Sequence, residues 1–306
     1  MIRHSTVKNT PHSAGSWATP NSGTPHSPKK SLGQHFLKDR SVPPRIVEGA
    51  GVEAGDCIVE VGPGLGVLTE EIARKLDPER GGKLVAVELD STLLPVLEER
   101  FGDSAHVSFV HADVLDMPPQ ELAGERAYKV VANLPYYITS AVLRHFLEAE
   151  KKPQSLTVMV QREVAERMVA KPPEMSLLAV AVQFYGKPKV LFRVPPGAFK
   201  PPPKVDSAVV RIDVYASGER PVPVGSEEGF FRVVRAGFGQ KRKQLGNTLA
   251  TGLELPKESV AGRLIEAGIQ PSRRAETLSL EEWGRVNETL VQSSRFKVQS
   301  HLNLEP

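Results

Sequence analysis

Short apolar runs alternate with amphipathic stretches through the middle of this chain. The apolar runs, several of them rich in β-branched residues, predict buried strands over 56–61, 83–88, 107–110, 129–132 and 156–161. Helices are predicted between and around them, over 42–49, 65–76, 93–101, 138–148 and 163–170. Strands separated by helices predict an α/β fold with a parallel, doubly wound sheet that is covered on both faces.

The pattern changes towards the C-terminus. A helix is predicted over 176–185, and two further strands, 189–194 and 207–214, are candidates for an antiparallel pair. A Gly, Pro and Glu-rich linker at 217–226 then leads into segments of helical spacing at 230–238, 242–250, 259–267 and 281–291. We therefore expect a tail over 1–29, an α/β domain over 30–214 and a small all-helical domain over 215–306.

The first 29 residues are rich in Ser, Thr, Pro, Gly and His and contain no acidic residue. Such a segment buries too little apolar surface to offset the entropy of ordering it, so we expect a disordered tail. It is either a dispensable extension or a weakly basic binding arm. It also lacks the apolar core of a secretory signal, so no signal peptide is expected.

Composition and net charge limit the classes of protein to which the chain can belong. The chain has 306 residues, 40% of them hydrophobic, and its net charge is +3. This charge permits a nucleic-acid partner without requiring one. The one cysteine, Cys57, lies in an apolar run and is expected to be a buried structural thiol in a reducing cytoplasm. No apolar stretch reaches the ~20 residues of a membrane span, so no membrane is expected.

The segment Val130-Val-Ala-Asn-Leu-Pro-Tyr136 carries the most specific chemistry. It predicts a buried strand that ends at polar acceptors and an aromatic ring. The Asn133 side-chain oxygen and the Leu134 carbonyl can accept the two N–H groups of an aromatic amine, while Tyr136 can stack on its ring. Pro135 stiffens the turn and removes a donor.

A glycine-rich turn follows the first central strand, at Glu60-Val-Gly-Pro-Gly-Leu-Gly66. Gly62 and Gly64 would let the backbone approach a ligand at a helix N-terminus. Val67 stands where the dinucleotide fingerprint requires glycine, which disfavours a nicotinamide-dependent oxidoreductase. Glu88 could accept both ribose hydroxyls, and Asp113 could accept an adenine amine; both are alternatively ordinary caps of strand ends. The turn is similar to the first motif of S-adenosylmethionine-dependent methyltransferases.

Six segments together resemble one family, the small-subunit ribosomal RNA adenine dimethyltransferases. They are Leu32–Leu37, the glycine turn, Asn133–Tyr136, Phe199–Val209 and the C-terminal runs Gln240–Lys243 and Arg274–Leu280. The resemblance covers residues 31 to 285, roughly, and implies a Rossmann-like S-adenosylmethionine-dependent methyltransferase domain with a helical second domain. The Phe199–Val209 run separates this group from the related large-subunit enzymes.

The resemblance also implies roles for individual residues. The cofactor would contact His35, Leu37, Gly62, Glu88, Asp113 and Asn133, with Gly64 beside them. The target adenine would stack on Tyr136, with Phe199 either closing its other face or anchoring the proline-rich loop. The implied product is N6,N6-dimethyladenosine at two adjacent positions near the 3′ end of small-subunit (16S) RNA. No metal is implied.

The implied partner is a pre-30S particle, to which the protein would bind as a monomer. Candidate phosphate-facing residues are Lys200, Lys204, Arg235, Lys241, Arg242 and Lys243. Four positions depart from the family pattern and leave local turns and one RNA contact open: Tyr137, Ser176, Ala179 and Gly246. Two alternatives remain, namely large-subunit (23S) RNA adenine methylation and a ribosome-assembly factor whose binding matters more than its chemistry.

Overall fold

Nine strands form two sheets in the structure, a computed structural model that describes residues 28–29, 32–216 and 218–291. The predicted disordered tail lies outside the described residues except for its last positions. The strands are β1 (Phe36–Leu37), β2 (Cys57–Val61), β3 (Lys83–Glu88), β4 (Val107–His111), β5 (Lys129–Asn133), β6 (Ser155–Gln161), β7 (Gly186–Val194), β8 (Phe199–Lys200) and β9 (Ser207–Val214).

The large sheet has seven strands in the order β4-β3-β2-β5-β6-β9-β7. The five strands from β2 to β6 pair in parallel, which confirms the predicted parallel core. The chain order reverses at β2, which lies between β3 and β5. In open α/β sheets, ligands bind in the crevice outside the carboxyl ends of the strands at such a switch point.

Eleven α-helices are found within the described residues. They are α1 (Val42–Gly49), α2 (Val67–Lys75), α3 (Leu94–Phe101), α4 (Pro119–Ala123), α5 (Thr139–Leu147), α6 (Arg162–Met168), α7 (Leu177–Tyr185), α8 (Glu227–Phe238), α9 (Leu245–Leu253), α10 (Lys257–Glu266) and α11 (Leu280–Val291). Each helix predicted from spacing is confirmed, with ends shifted by up to three residues. None of the described helices is both long and apolar enough to cross a membrane.

Burial explains why the central strands read as continuous apolar runs. Every residue of β2 is buried, including Glu60 and Cys57, as expected for a strand covered on both faces. Ile46 on α1, Ile72 on α2 and Ile58 on β2 are fully buried in one apolar cluster. This packing fixes the carboxyl end of β2, from which the glycine turn starts.

A second, two-stranded sheet joins distant parts of the sequence. The strands β1 and β8 pair antiparallel, with Phe36 opposite Lys200 and Leu37 opposite Phe199. The Lys38 N–H also donates to the Ala198 carbonyl at 2.8 Å. The proline-rich loop after β8 is thereby tied to residues 32–37.

The chain divides into two compact units. The first holds the described residues up to Arg162 together with Leu191–Arg211, and the second holds Glu163–Val190 and the described residues from Ile212 onwards. Within the second unit, Phe184 stacks on Phe230 at 4.8 Å, and Trp283 is fully buried. The helices α6 and α7 thus group with the C-terminal helices, and the domain boundary expected at residue 214 stays a prediction.

Candidate active site

One pocket in the first unit opens where the central strands end. Its walls come from the segment before α1, the glycine turn, the ends of β3 and β5 and the residue that begins β8. The pocket is lined by every residue predicted to contact a cofactor or the target base: His35, Leu37, Gly62, Gly64, Glu88, Asp113, Asn133, Leu134, Tyr136 and Phe199. Their individual roles stay predictions, because proximity alone assigns none.

The glycine turn has three residues with left-handed backbone. Gly62, Gly64 and Gly66 have φ of 69°, 59° and 75°, which a residue with a Cβ adopts at a cost. At Gly62 a Cβ would meet no atom within 4 Å, so the turn there lies open. At Gly66 a Cβ would stand 2.7 Å from the buried Phe101 ring. Gly66 therefore serves close packing, while Gly62 leaves room for a ligand.

Glu88 braces this turn from the end of β3. One carboxylate oxygen accepts the Gly64 N–H at 3.1 Å, and the other accepts the Asp90 N–H at 2.8 Å. Burial raises the pKa of Glu88, and these two bonds partly oppose the rise. Since each carboxylate oxygen has a second lone pair, Glu88 can still accept hydroxyl groups from a ligand.

Glu60 is the most unusual charged residue of the pocket wall. Its residue is 1% exposed, and neither carboxylate oxygen has a hydrogen-bond partner within the described structure. Burial raises the pKa of Glu60 from 4.5 to about 8, although the nearby Thr69 hydroxyl partly opposes the rise. Ionising such an acid without a charged partner costs free energy. A cationic group that entered the pocket would stabilise its ionised form.

A carboxylate that sequence reasoning weighed only as an acidic strand end, with no site role assigned, holds the N-terminal wall. Asp90 accepts from Lys29 Nζ at 2.7 Å and from Gln34 Nε2 at 3.0 Å. Although burial alone would raise the pKa of Asp90, the bonds from Lys29, Thr92 and Gln34 hold that pKa below its usual range. The available signal was the second acid in Glu88-Leu-Asp90, next to a residue already singled out.

The proposed acceptors lie at the end of β5. The Asn133 side chain forms no hydrogen bond with any described residue, so its amide oxygen is available to a ligand. The Leu134 N–H donates to the Met159 carbonyl at 3.3 Å, which fixes the neighbouring peptide. An unused side-chain amide next to a main-chain carbonyl matches the pair of acceptors predicted for an exocyclic amine.

The Tyr136 ring is held from two directions. Its hydroxyl hydrogen-bonds the Ser207 hydroxyl at 2.7 Å, and its ring stacks on His35 with centroids 5.9 Å apart. His35 in turn lies 2.8 Å from the Pro201 carbonyl, so its Nδ1 must be the donor there. Burial raises the pKa of Tyr136. Ser207 was quoted in the proline-loop motif without a role, and the structure gives it one.

Two predicted site residues also have structural roles. Phe199 is 2% exposed and belongs to the apolar cluster below the pocket, which favours the alternative that it anchors the proline-rich loop. Asp113 uses one oxygen to accept the Leu115 N–H at 2.9 Å, so it caps the short helix after β4. Its second oxygen remains available at the pocket wall.

The structure shows what surrounds each of the four residues that depart from the family pattern. Ser176 caps α7 by accepting the Ala179 N–H at 3.1 Å, and Ala179 is fully buried. Gly246 lies in α9, where a Cβ would stand 3.2 Å from Pro271. Tyr137 is 61% exposed at the pocket rim.

The predicted RNA-binding residues stand outside the pocket. Each of the six is exposed: Lys200 and Lys204 in the first unit, and Arg235, Lys241, Arg242 and Lys243 in the second. The run from Lys241 to Lys243 occupies the turn between α8 and α9. Exposure suits a phosphate contact and equally suits a solvated surface, so this assignment also stays a prediction.

Fold and site together define a Rossmann-like S-adenosylmethionine-dependent methyltransferase. The structure superposes on that of a dimethyladenosine transferase from Plasmodium falciparum with a TM-score of 0.69 at 20% identity, covering 83% of this chain and 98% of that one. At this identity the likeness shows the fold. The 23S rRNA methyltransferase ErmE gives a TM-score of 0.66 at 28% identity, covering 84% and 100%. The predicted fold class is confirmed.

Sequence comparison identifies the family. The family model described as ribosomal RNA adenine dimethylase matches residues 25–292. A ribosomal RNA small subunit methyltransferase A from Dehalococcoides mccartyi (strain ATCC BAA-2266 / KCTC 15142 / 195) is 51% identical over 83% of this chain and 86% of its own length. Another, from Alkaliphilus oremlandii, is 45% identical over 83% and 89%. The chain belongs to the ribosomal RNA adenine dimethylase family.

Proposed function

We propose that this enzyme transfers methyl groups from S-adenosylmethionine to N6 of two adjacent adenosines near the 3′ end of small-subunit (16S) ribosomal RNA. The observation that supports this proposal is the shared pocket, which is lined by Asn133, Leu134 and the glycine turn that Glu88 braces. The printed names of the relatives, which specify the small subunit, support this RNA over that of the large subunit.

The residues of the pocket fit this cofactor. Glu60 offers an orphaned buried carboxylate to the cofactor's ammonium, and Glu88 offers free lone pairs to its ribose hydroxyls. Gly62 leaves the turn open to close approach. His35, Leu37 and Asp113 line the same space and are proposed to complete the site. When bound, the cofactor supplies a methyl carbon on a cationic sulfur, which gives up that bond as the N6–carbon bond forms.

The chain's own residues orient the acceptor. We propose that Asn133 Oδ1 and the Leu134 carbonyl accept the two N6 hydrogens while the adenine, taken out of its RNA stack, lies on Tyr136. These acceptors stabilise the positive charge that develops on N6, and holding the nitrogen in line supplies much of the acceleration. The proton then leaves to water, because the methylated cationic nitrogen is strongly acidic. The second methylation requires one of the two acceptor bonds to be given up.

We propose that electrostatic attraction between basic side chains and RNA phosphates makes the first contact with the RNA. Lys200 and Lys204 beside the pocket, and the Lys241–Lys243 run with Arg235 in the second unit, would face phosphates. The proposed partner is a pre-30S particle, bound by a monomer in the cytoplasm.

The decisive experiment is incubation with labelled S-adenosylmethionine and unmethylated small subunits, followed by nucleoside analysis and primer extension. We expect N6,N6-dimethyladenosine at two adjacent positions, with large subunits from the same cells as the control. Label in the large-subunit RNA instead would favour the alternative that ErmE represents. No transfer to either RNA would overturn the proposal.

An Asn133→Ala variant separates catalysis from an assembly role. Removing one of two charge-stabilising acceptors should lower kcat by about 100-fold or more. If this variant still restores subunit maturation fully in a strain that lacks the gene, binding matters more than methylation.

A further inference from the structure

Tyr137 places an aromatic ring in solvent at the edge of the pocket. Large apolar or aromatic side chains are exposed at a few described positions: Leu89, Tyr137, Leu177, Val205 and Ile265. Of these, Leu89 and Tyr137 line the pocket. Leu89 directly follows Glu88 and so belongs to the cofactor side, whereas Tyr137 directly follows Tyr136 on the acceptor side.

The Tyr137 ring is supported without being buried. It belongs to the short 3-10 helix Tyr136–Ile138, and its Cδ1 and Cε1 lie 3.3 and 3.4 Å from where a Cβ on Gly33 would stand. Gly33 has φ of 58° and therefore combines an unusual backbone with close approach of the ring. The side chain remains 61% exposed, and its hydroxyl bonds no described residue.

We propose that Tyr137 is a second nucleobase subsite, which stacks on the nucleotide next to the adenosine held at Asn133. The inference rests on the proposed function and extends it from one base to two. Taking an adenosine out of single-stranded RNA leaves its neighbour without a stacking partner, and aromatic side chains replace that partner at a pocket rim. Tyr136 and Tyr137 line the same pocket, so a nucleotide next to an adenosine on Tyr136 lies in the space that Tyr137 borders.

The surroundings favour this occupant over a protein partner. Tyr137 is continuous with the acceptor side of the pocket, and the exposed Lys200 lies opposite Phe36, another pocket residue. A cation at the rim suits the phosphate between two nucleotides.

The test compares Tyr137→Ala with Tyr137→Phe in subunit methylation at saturating S-adenosylmethionine, measured separately at each adenosine. Ile265→Ala, at a 64% exposed position outside the pocket, is the matched control. Base stacking of ~1–3 kcal/mol predicts that Tyr137→Ala raises KM for subunits about 5- to 150-fold. Tyr137→Phe and Ile265→Ala should stay within about 2-fold, and the Kd for S-adenosylmethionine should change as little in all three.

Three results would overturn the inference while leaving the proposed function standing. The first is a wild-type KM for subunits in Tyr137→Ala. The second is a KM for subunits that rises in Tyr137→Phe as much as in Tyr137→Ala. The third is a raised Kd for S-adenosylmethionine with unchanged KM for subunits, which would assign the ring to the support of Gly33 and its neighbours. Absence of methylation by the unaltered protein would instead overturn the proposed function and this inference with it.

Discussion

We expect Glu60 to make the free energy of unfolding of the cofactor-free protein fall as the pH rises. Its pKa is about 8 in the folded protein, because of burial, against 4.5 for an exposed glutamate. Between these two values the folded state holds a proton that the unfolded chain has released, so the unfolded state is increasingly favoured. The slope approaches ~1.4 kcal/mol per pH unit, and the total is at most ~5 kcal/mol.

The test is the Glu60→Gln variant, which keeps the shape of the side chain and removes the titration. Free energies of unfolding are measured by urea denaturation at pH 5, 6, 7 and 8 without cofactor. The variant's stability minus that of the unaltered protein should rise by about 3–4 kcal/mol across this range. Taking the difference cancels groups that titrate independently of Glu60. Glu88 is not one of them, because its charge helps to raise the pKa of Glu60, so the measured rise includes the response of Glu88.

The test uses the change of this stability difference with pH, and not its absolute value. Burying the Gln amide has its own free-energy cost, which differs from that of the carboxylic acid. A difference that stays constant within about 0.5 kcal/mol, or that falls with pH, would refute the assignment of a buried, neutral Glu60. Titration with S-adenosylmethionine at pH 8 adds a separate test. If Glu60→Gln binds it as tightly as the unaltered protein, pairing between Glu60 and the ammonium is excluded while the burial argument stands.

Two further changes test the packing around the pocket. Gly66→Ala should destabilise the protein by ~2–4 kcal/mol in thermal or urea unfolding, through left-handed strain and the 2.7 Å approach to Phe101. Gly81→Ala is the matched control, because Gly81 is also left-handed and a Cβ there would meet only the Arg126 side chain, at 3.6 Å. It should show the strain of ~1–2 kcal/mol alone, and equal losses would contradict the packing argument. Ser207→Ala and Tyr136→Phe should couple by about 0.5–1.5 kcal/mol in a double-mutant cycle of unfolding free energies, whereas additive losses would show that their hydroxyl–hydroxyl bond contributes nothing.

Most of the fold could be predicted from hydrophobic periodicity, because the core elements are long and bury either one face or all of their residues. The strand β2 was predicted from an apolar run, and all its residues are buried. The strands β1 and β8 were missed, since two residues show no period and each exists through pairing with the other. The helix α4 was also missed, because its five residues begin after Pro118 and give too short a pattern.

Strand ends explain which parts of the site were predictable. Glu88 and Asn133 end parallel strands, and the carboxyl ends of such strands meet at one edge of the sheet. The Asp90 contacts with Lys29 and Gln34 span 61 and 56 positions of the sequence and leave no local pattern. The protonation state of Glu60 could not be predicted either. The residue is visible in the sequence, but its lack of partners depends on the packed fold.

The segment 32–37 links the two halves of the pocket. Gln34 bonds Asp90, whose N–H is held by the cofactor-side Glu88, while His35 stacks on the acceptor-side Tyr136. We predict that a ligand in contact with this segment on one side restrains the residues that face the other, so that cofactor and RNA bind cooperatively. Linkage then requires each ligand to change the affinity of the other by the same factor. The Kd of S-adenosylmethionine measured with and without the RNA tests this, and equal values would show two independent sites.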